Sequence, residues 1–444
     1  MHVLLVNPPL NTNQPVSGVY PMGLAYIGAM LRRAQCDVDV LDIRLNRYDK
    51  TFVENYLRKT QGKYTLFGIS GMVTTYKYSK WISNEIKKNN PKAFVITGGS
   101  LCTASELLLK DSGIDAICIG EGEKVIVDIT ECIRSNNNLK HVPNILIKSE
   151  GNITRTVKET PIDIDSIPFP SWELFDMEQY TKFSYIVPVK KRSITMIIER
   201  GCPFECVFCY RNFGRILRYR NVNQVIEEIK LVIDRYGVGH IDFLDEIFNA
   251  NPNYVKELCN TLIKEGVNIT WRCIGRTDLV DKETLQLMYE AGCRWIGYGI
   301  ESGSQEILDQ MNKRQNIERI EKSIKLSREV GMIVTGTFII GMPGETEQTI
   351  QESSNFFERN NIFNIPFFPV PYPGTILYEE CKKSGLIKDE EEYIISLEKD
   401  ATELIINLTS FPNSRIMELR DSLIMKYKKF IPNLELPIKE NTIS

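Results

Sequence analysis

The chain has 444 residues, enough for two or three domains that each bury a core. Its formal net charge of −3 is dispersed, which leaves no electrostatic footprint for nucleic acid, and its composition is that of an ordinary soluble globular protein. No apolar run reaches membrane-spanning length and Met1–Val6 leads straight into a strand pattern, so a cytoplasmic protein with no membrane span is expected. Eleven cysteines at irregular spacing argue against a disulfide framework. Cys36, Cys118, Cys132, Cys259, Cys273, Cys293 and Cys381 lie in apolar or helical contexts and read as small core residues. Cys102 follows a glycine loop and has no such reading.

Residues 1 to about 135 alternate strand and helix patterns. His2–Asn7, Asp37–Leu41, Leu66–Ser70, Phe94–Thr97 and Ala116–Ile119 read as strands. Pro21–Arg33, Tyr76–Lys88, Ala104–Lys110 and Glu123–Arg134 read as helices. Five strands with intervening helices predict an open, doubly wound parallel sheet. The strand ends carry Asn7-Pro8-Pro9, Ser70-Gly71-Met72-Val73-Thr74-Thr75, Thr97-Gly98-Gly99-Ser100 and Gly120-Glu121-Gly122-Glu123. Loops of this kind line the crevice at the carboxyl edge of such a sheet, and their glycines allow close approach of backbone to a ligand. No G-x-G-x-x-G follows the first strand, which excludes the usual dinucleotide fingerprint.

Asn144–Lys148 and Ile153–Val157 predict a hairpin around Ser149-Glu150-Gly151-Asn152, and Thr160–Trp172 reads as an extended connector whose apolar residues pack. From Ile194 the alternation returns in longer units. Strands are predicted at Ile194–Glu199, His240–Leu244, Ile269–Cys273, Trp295–Ile300, Ile333–Ile340 and Ile362–Val370. Helices are predicted at Val222–Arg235, Asn253–Glu265, Lys282–Ala291, Gln305–Met311, Ile317–Val330 and Glu347–Arg359. Six β/α units make a partial barrel, whose chemistry sits at the strand C-termini. Beyond about residue 385 the chain is charged and helical, with an amphipathic stretch at Ile416–Phe430 that reads as a packing lid. The organisation expected is therefore a sheet domain over 1–150, a linker over 151–182, a barrel over 183–384 and a helical C-terminal region over 385–444.

The first barrel strand runs into Glu199-Arg200-Gly201-Cys202-Pro203-Phe204-Glu205-Cys206-Val207-Phe208-Cys209-Tyr210. Three cysteines at C-x3-C-x2-C on a strand-end loop must ligate something, pair, or sit as free thiols. Zinc sites want four ligands, normally in two separated pairs, and no second pair lies nearby. The motif resembles the signature loop of the radical S-adenosylmethionine (radical SAM) enzymes. The resemblance implies that Cys202, Cys206 and Cys209 hold a 4Fe-4S cluster whose fourth iron takes the amino and carboxylate groups of S-adenosylmethionine. Its reductive cleavage then yields a 5′-deoxyadenosyl radical.

The rim motifs extend the resemblance. Asp245-Glu246 after the second barrel strand resembles the element that receives the cofactor's ammonium, with Asp245 or Glu246 as acceptor, or both as exposed loop acids. Arg276 can meet the methionine carboxylate, or pair with Asp278. Gly299-Ile300-Glu301-Ser302-Gly303 matches the family's ribose element, which implies Glu301 as acceptor from the ribose hydroxyls and Ser302 as a further bond. Ile340 and Gly341 border the expected adenine face, Glu345 is expected to cap the following helix, and Phe208 is expected to contact adenine. Pro371-Tyr372-Pro373-Gly374-Thr375 is another family-like turn, with a substrate wall and a structural turn both open.

The N-terminal half is similar to the cobalamin-binding domain found ahead of many radical SAM enzymes, through N-P-P, P-M-G-L-A-Y-I-G, the G-G loop and the G-E-G-E loop. This flavodoxin/Rossmann-like reading implies cobalamin contacts at Pro8, Ser70, Gly71, Thr74, Thr75, Gly98, Gly99, Gly120, Glu121 and Gly122. A domain of this fold that only packs or binds a partner is the alternative. D-x-H-x-x-G is absent and the chain has three histidines, His2, His141 and His240, none in that context, so cobalt would have no histidine below it. Leu101 stands where related G-G-x-H loops carry histidine.

Together these imply a cobalamin-dependent methyltransferase acting on an unactivated carbon or phosphorus of a small molecule. It would be reduced by an external donor such as flavodoxin or ferredoxin. Cyclisation, rearrangement and oxidation share the same plan. From another class, a non-catalytic iron–sulfur sensor or electron carrier would need the cysteines but no adenosine pocket.

Overall fold

A computed structural model describes residues 1–10, 19–149, 152–184, 186–399 and 401–428. The first sheet contains β1 (His2–Asn7), β2 (Asp37–Asp42), β3 (Leu66–Ile69), β4 (Phe94–Thr97), β5 (Ala116–Cys118), β6 (Ile145–Ser149) and β7 (Asn152–Arg155), in the order β2-β1-β3-β4-β5-β6-β7. The first five are parallel, as expected, and Val3–Val6 are fully buried because helices cover both faces. The order reverses between β1 and β3, so a crevice opens above their carboxyl ends. The hairpin β6–β7 extends the same sheet antiparallel to β5, and its turn residues Glu150 and Gly151 lie outside the described residues. A helix at Lys50–Lys59, which the strand–helix pattern did not single out, crosses from β2 to β3.

The connector packs. Ile164, Ile167 and Trp172 are buried, the Ser171 amide donates to the Ala25 carbonyl, and the Trp172 indole N–H donates to the Tyr20 hydroxyl at 3.3 Å.

The second sheet contains β8 (Ser193–Met196), then, after the short β9 (Glu199–Arg200) and β10 (Arg218–Tyr219), β11 (His240–Phe243), β12 (Thr270–Gly275), β13 (Cys293–Glu301) and β14 (Ile333–Phe338). Its order is β14-β13-β12-β11-β8 and all pairs are parallel. The sixth strand expected at Ile362–Val370 is reduced to one parallel bridge, Ile339 to Phe367. Pro366 and Pro369 have no N–H to give, so a ladder cannot propagate through them. Trp271 and Phe338 on alternate strand positions pack outward against helices, Phe338 stacking on Phe357 at 4.4 Å. The intervening positions therefore face the barrel lumen.

Helices Ile376–Lys383, Glu390–Ser396 and Asn413–Lys428 complete the fold. Glu391 accepts from the Tyr76 hydroxyl at 2.8 Å and Lys80 at 2.7 Å, which ties this region to the first sheet's helices. The last helix buries Ile416, Leu423, Ile424 and Tyr427, and Phe430 of the expected amphipathic stretch lies outside the described residues. No helix among the described residues is long and apolar enough to cross a membrane.

Candidate functional site

The cysteine loop does not leave a parallel strand directly. It is the closed end of an antiparallel two-residue ladder, β9 with β10, that stands above β8. Gly201 makes the entry at φ +100°, where a Cβ would meet the Ile216 carbonyl oxygen at 2.2 Å, so only glycine fits. The loop is pinned along its length: the Cys202 amide donates to the Gly214 carbonyl, Val207 to Met311 and Cys209 to Cys206. Phe208 and Val207 pack on Ile307, Met311, Ile339 and Met342, which sets the loop against the ends of β13 and β14.

Cys202 and Cys206 are partly buried and Cys209 is exposed. Burial and then the neighbouring Cys206 and Cys202 push the Cys209 thiol up to about 11. The described residues hold no trio of His, Cys, Asp or Glu gathered at single-ion spacing, these cysteines included. Three thiols carried on one eight-residue loop are the donor set a multi-iron cluster takes, with one thiolate per iron.

Beneath the loop are three carboxylates. Asp245 accepts the amides of Ile198 at 2.7 Å and Glu199 at 3.0 Å. Glu246 accepts the amides of Asn212 at 2.9 Å and Phe213 at 3.4 Å. Glu199, unassigned in the sequence reading, accepts the Ile247 amide at 2.9 Å. Burial raises all three carboxyls above their ordinary range, and Asp245 adds its charge to the shift at Glu199. These are therefore not exposed loop acids: each uses one oxygen to hold backbone. The second oxygen of each, Glu199 Oε2, Asp245 Oδ2 and Glu246 Oε2, is buried without a partner. Buried acceptors left open fit a cation such as an ammonium group.

Arg276 is buried, bonds Asp278 through Nε at 3.0 Å and Nη2 at 3.1 Å, donates to the Lys313 carbonyl and stacks on Phe204 at 3.5 Å. Arg276 thus pairs with Asp278, the guanidinium buried and the carboxylate partly so. Glu301 takes φ +68°, a conformation stored at few non-glycine positions outside functional sites. Its Oε1 accepts Lys313 Nζ at 3.0 Å. Lys313 is the partner that sequence reasoning missed; it lies twelve positions on, beyond any helical or strand period from Glu301. Ser302 is buried, meets the Ser353 hydroxyl at 2.9 Å and accepts the Ser304 amide. Ile340 is buried and its amide donates to the Phe367 carbonyl. Gly341 sits at φ +104°, and Glu345 accepts both its amide and that of Met342. The cap of the next helix is Thr346 with Thr349, not Glu345.

Facing this hairpin is a cavity of about 410 Å³ at the carboxyl edge of the first sheet. Ser70, Gly71, Gly98, Gly99, Gly120, Glu121 and Gly122 line it, and Ile197, Arg200, Asn212, Phe213 and Leu244 close it from the barrel side. Pro8, Thr74 and Thr75 lie outside the lining; Thr75 donates to the Met72 carbonyl, while the Thr74 hydroxyl is buried without a partner. Gly120 has φ +84° and open space where a Cβ would stand. No histidine lines the cavity, and Leu101 points away from it into the core beneath Gly71. An apolar, glycine-floored cavity with orphaned polar atoms at its margin fits a large flat cofactor. Arg200, quoted within the cysteine motif but given no role there, joins the two halves by pairing with Glu121 and Glu123.

The Radical SAM superfamily matches residues 196–357, and the B12 binding domain matches residues 12–130. The chain is 30% identical over 400 residues to an uncharacterized methyltransferase of Pyrococcus horikoshii, covering 87% of this chain and 84% of that one. The chain belongs to the radical SAM superfamily. It is also 28% identical over 453 residues to the cytidylyl-2-hydroxyethylphosphonate methyltransferase of Streptomyces wedmorensis, covering 88% and 83% of the two chains. Its fold is that of the radical S-adenosylmethionine methyltransferase TsrM of Kitasatospora setae, solved with cobalamin and a [4Fe-4S] cluster bound. The TM-score is 0.71 at 20% identity, over 87% of this chain and 75% of that one. The radical SAM barrel follows a B12-binding domain in one chain, and a non-catalytic iron–sulfur carrier has no use for that pairing.

Proposed function

We propose that this radical SAM enzyme is a cobalamin-dependent methyltransferase acting on an unactivated carbon or phosphorus of a small molecule. The observation that carries the reading is the facing of the glycine-floored cavity and the cysteine hairpin, with Phe213 and Asn212 of the hairpin in the cavity wall. When bound, the cluster would supply the electron that cleaves S-adenosylmethionine, and cobalamin the methyl group. Cys202, Cys206 and Cys209 would hold the cluster. Glu199, Asp245 and Glu246 offer open acceptors to the cofactor's ammonium, and Glu301 with Lys313 offers a polar pair to its ribose. Ser70, Gly71, Gly98, Gly99, Gly120 and Gly122 would let the corrin lie against backbone. The reducing electron comes from an external donor of the flavodoxin or ferredoxin kind, in the cytoplasm.

The test is product analysis. The anaerobically purified protein, with cluster reconstituted and hydroxocobalamin added, is given a strong reductant and S-adenosylmethionine, with Cys206→Ala as control. Formation of both 5′-deoxyadenosine and S-adenosylhomocysteine, the latter only with cobalamin, is expected. 5′-Deoxyadenosine alone would point to cyclisation, rearrangement or oxidation. Neither product from a fully loaded protein, with candidate substrates present, would return the sensor reading.

A further inference from the structure

Barrels of this kind normally fill their lumen with layers of bulky branched side chains. Here Thr195 on β8, Asp242 on β11 and Arg272 on β12 share one register level with Trp295 on β13 and Ile333 on β14, and Gly297 with Thr335 follow two residues further along their strands. Thr195, Asp242, Arg272 and Thr335 thus give this lumen polar groups where bulky apolar ones are usual. Asp242 and Arg272 are register partners on adjacent strands, yet they make no ion pair among the described residues. Asp242 is already engaged: Oδ2 accepts from Ser184 Oγ at 2.7 Å, and Oδ1 lies 3.3 Å from His240 Nε2. Arg272 instead turns the other way, across Gly297. A Cβ on that glycine would lie 3.1 Å from Arg272 Nη2 and 3.3 Å from Thr335 Oγ1. The missing side chain is what lets the guanidinium and the hydroxyl both come close over this point of β13.

Arg272 Nη1 is buried without a hydrogen-bond partner, and so is Thr195 Oγ1 in the same layer. Arg272 is half-buried, and a guanidinium nitrogen shut off from water without an acceptor is destabilising unless something else partners it. The lumen is open on the side where that partner would enter: Ile333, Thr335 and Thr337, the inward positions of β14, are exposed, Ile333 by 53%. Four residues of strand at about 3.3 Å each set Arg272 roughly 13 Å below Arg276 at the rim. It is thus a separate cation from the one already closed by Asp278.

We propose that Arg272 and Thr335, on either side of Gly297, form the subsite for an anionic group of the substrate, a carboxylate, phosphate or phosphonate. This rests on the reading above, because the substrate of a radical enzyme whose cofactor lies at the rim enters the lumen beneath it. A planar guanidinium presents two N–H groups to two oxygens of such an anion, and the threonine hydroxyl can donate to one of them.

The experiment needs no turnover, so its failure is distinct from failure of the methyltransferase reading. Methylphosphonate and acetate are titrated calorimetrically into the cluster-loaded, cobalamin-loaded protein at constant ionic strength, and melting temperatures are read without anion. Saturable binding of at least one of the two anions is expected, weakened about tenfold or more in Arg272→Met and severalfold in Thr335→Val. Saturating S-adenosylmethionine should leave that binding in place. Arg272→Met should melt at a higher temperature than the wild type, since it removes a buried N–H donor that nothing accepts. The proposal is overturned by no saturable binding of either anion, by undiminished binding in the variants, or by displacement of the anion by S-adenosylmethionine, which would make the site the cofactor's own. A lower melting temperature or failure of Arg272→Met to fold also overturns it, because the guanidinium would then be holding the fold together.

Discussion

Arg200 Nη1 and Glu121 Oε2 form a buried ion pair at 2.6 Å that joins the loop after β5 to the strand entering the cysteine hairpin. Arg200 Nη2 bonds Glu123 Oε1, also at 2.6 Å, and the guanidinium lies over the rings of Phe213 at 4.9 Å and Tyr26 at 5.5 Å. Arg218 on β10 reaches the other oxygen of Glu121. The cavity and the hairpin are therefore held in one geometry by a network in which each carboxylate of Gly120-Glu121-Gly122-Glu123 has a cation.

Breaking this network from one side should cost more than the network is worth. Arg200→Met strands Glu123 and half-strands Glu121 in a buried place, for a loss of about 3–5 kcal/mol. Chemical unfolding should show that loss, and Arg200→Met/Glu123→Gln should recover part of it. Equal stability of the single and double variants would mean the two residues are not coupled.

The first sheet's loops touch so closely that one methyl group is too many. Gly99 has φ +67°, and a Cβ there would stand 2.4 Å from the Gly71 carbonyl oxygen. Gly99→Ala should cost about 1–3 kcal/mol from strain and the clash together. The protein should also lose its bound cobalamin absorbance on gel filtration while its iron content is unchanged. Full retention of cobalamin by Gly99→Ala would separate this loop from the cobalamin cavity.

What was legible in the sequence follows from how local each signal is. Val3–Val6 announces a buried parallel strand because both faces are covered, so an unbroken apolar run suffices. The glycines of the Ser70, Thr97 and Gly120 loops are legible because backbone that must approach a ligand tolerates little else. Pairing across the fold is not. Nothing near Glu301 points to Lys313, and Arg276 reads equally as a ligand or a paired ion until Phe204 and Asp278 are seen around it. Likewise nothing near Ser302 points to Ser353, whose hydroxyl it meets. The sixth strand failed for a reason present in the sequence: prolines within an apolar run demote it.

The polar pair at the end of β13 can be tested by binding alone. Glu301 and Lys313 are buried together, so Glu301→Gln keeps the shape and a hydrogen bond but removes the charge. Calorimetric titration of S-adenosylmethionine into the cluster-loaded protein should show about tenfold weaker binding, the loss of one charge-assisted hydrogen bond. Unchanged affinity would assign the pair to folding and take Glu301 out of the ribose site.

Glu345 makes the fold sensitive to pH in a predictable direction. It is buried, and burial lifts its carboxyl from the ordinary 4.5 to about 7 even though the Gly341 and Met342 amides favour the anion. A carboxyl whose folded pKa lies above its unfolded one favours the fold most at low pH. Its contribution is complete below about 4.5 and is lost as pH rises through 7. Glu345→Gln has no such titration, and its amide oxygen can still accept the two backbone bonds. The stability of Glu345→Gln minus that of the wild type should therefore grow between pH 5 and pH 8, by about 2–3 kcal/mol. Taking the difference cancels every other titrating group the two proteins share. Urea unfolding at the two pH values measures it. A difference that stays level would mean the carboxylate is already ionised at pH 5, held by the two amides at the end of β14, and that burial is the weaker influence there.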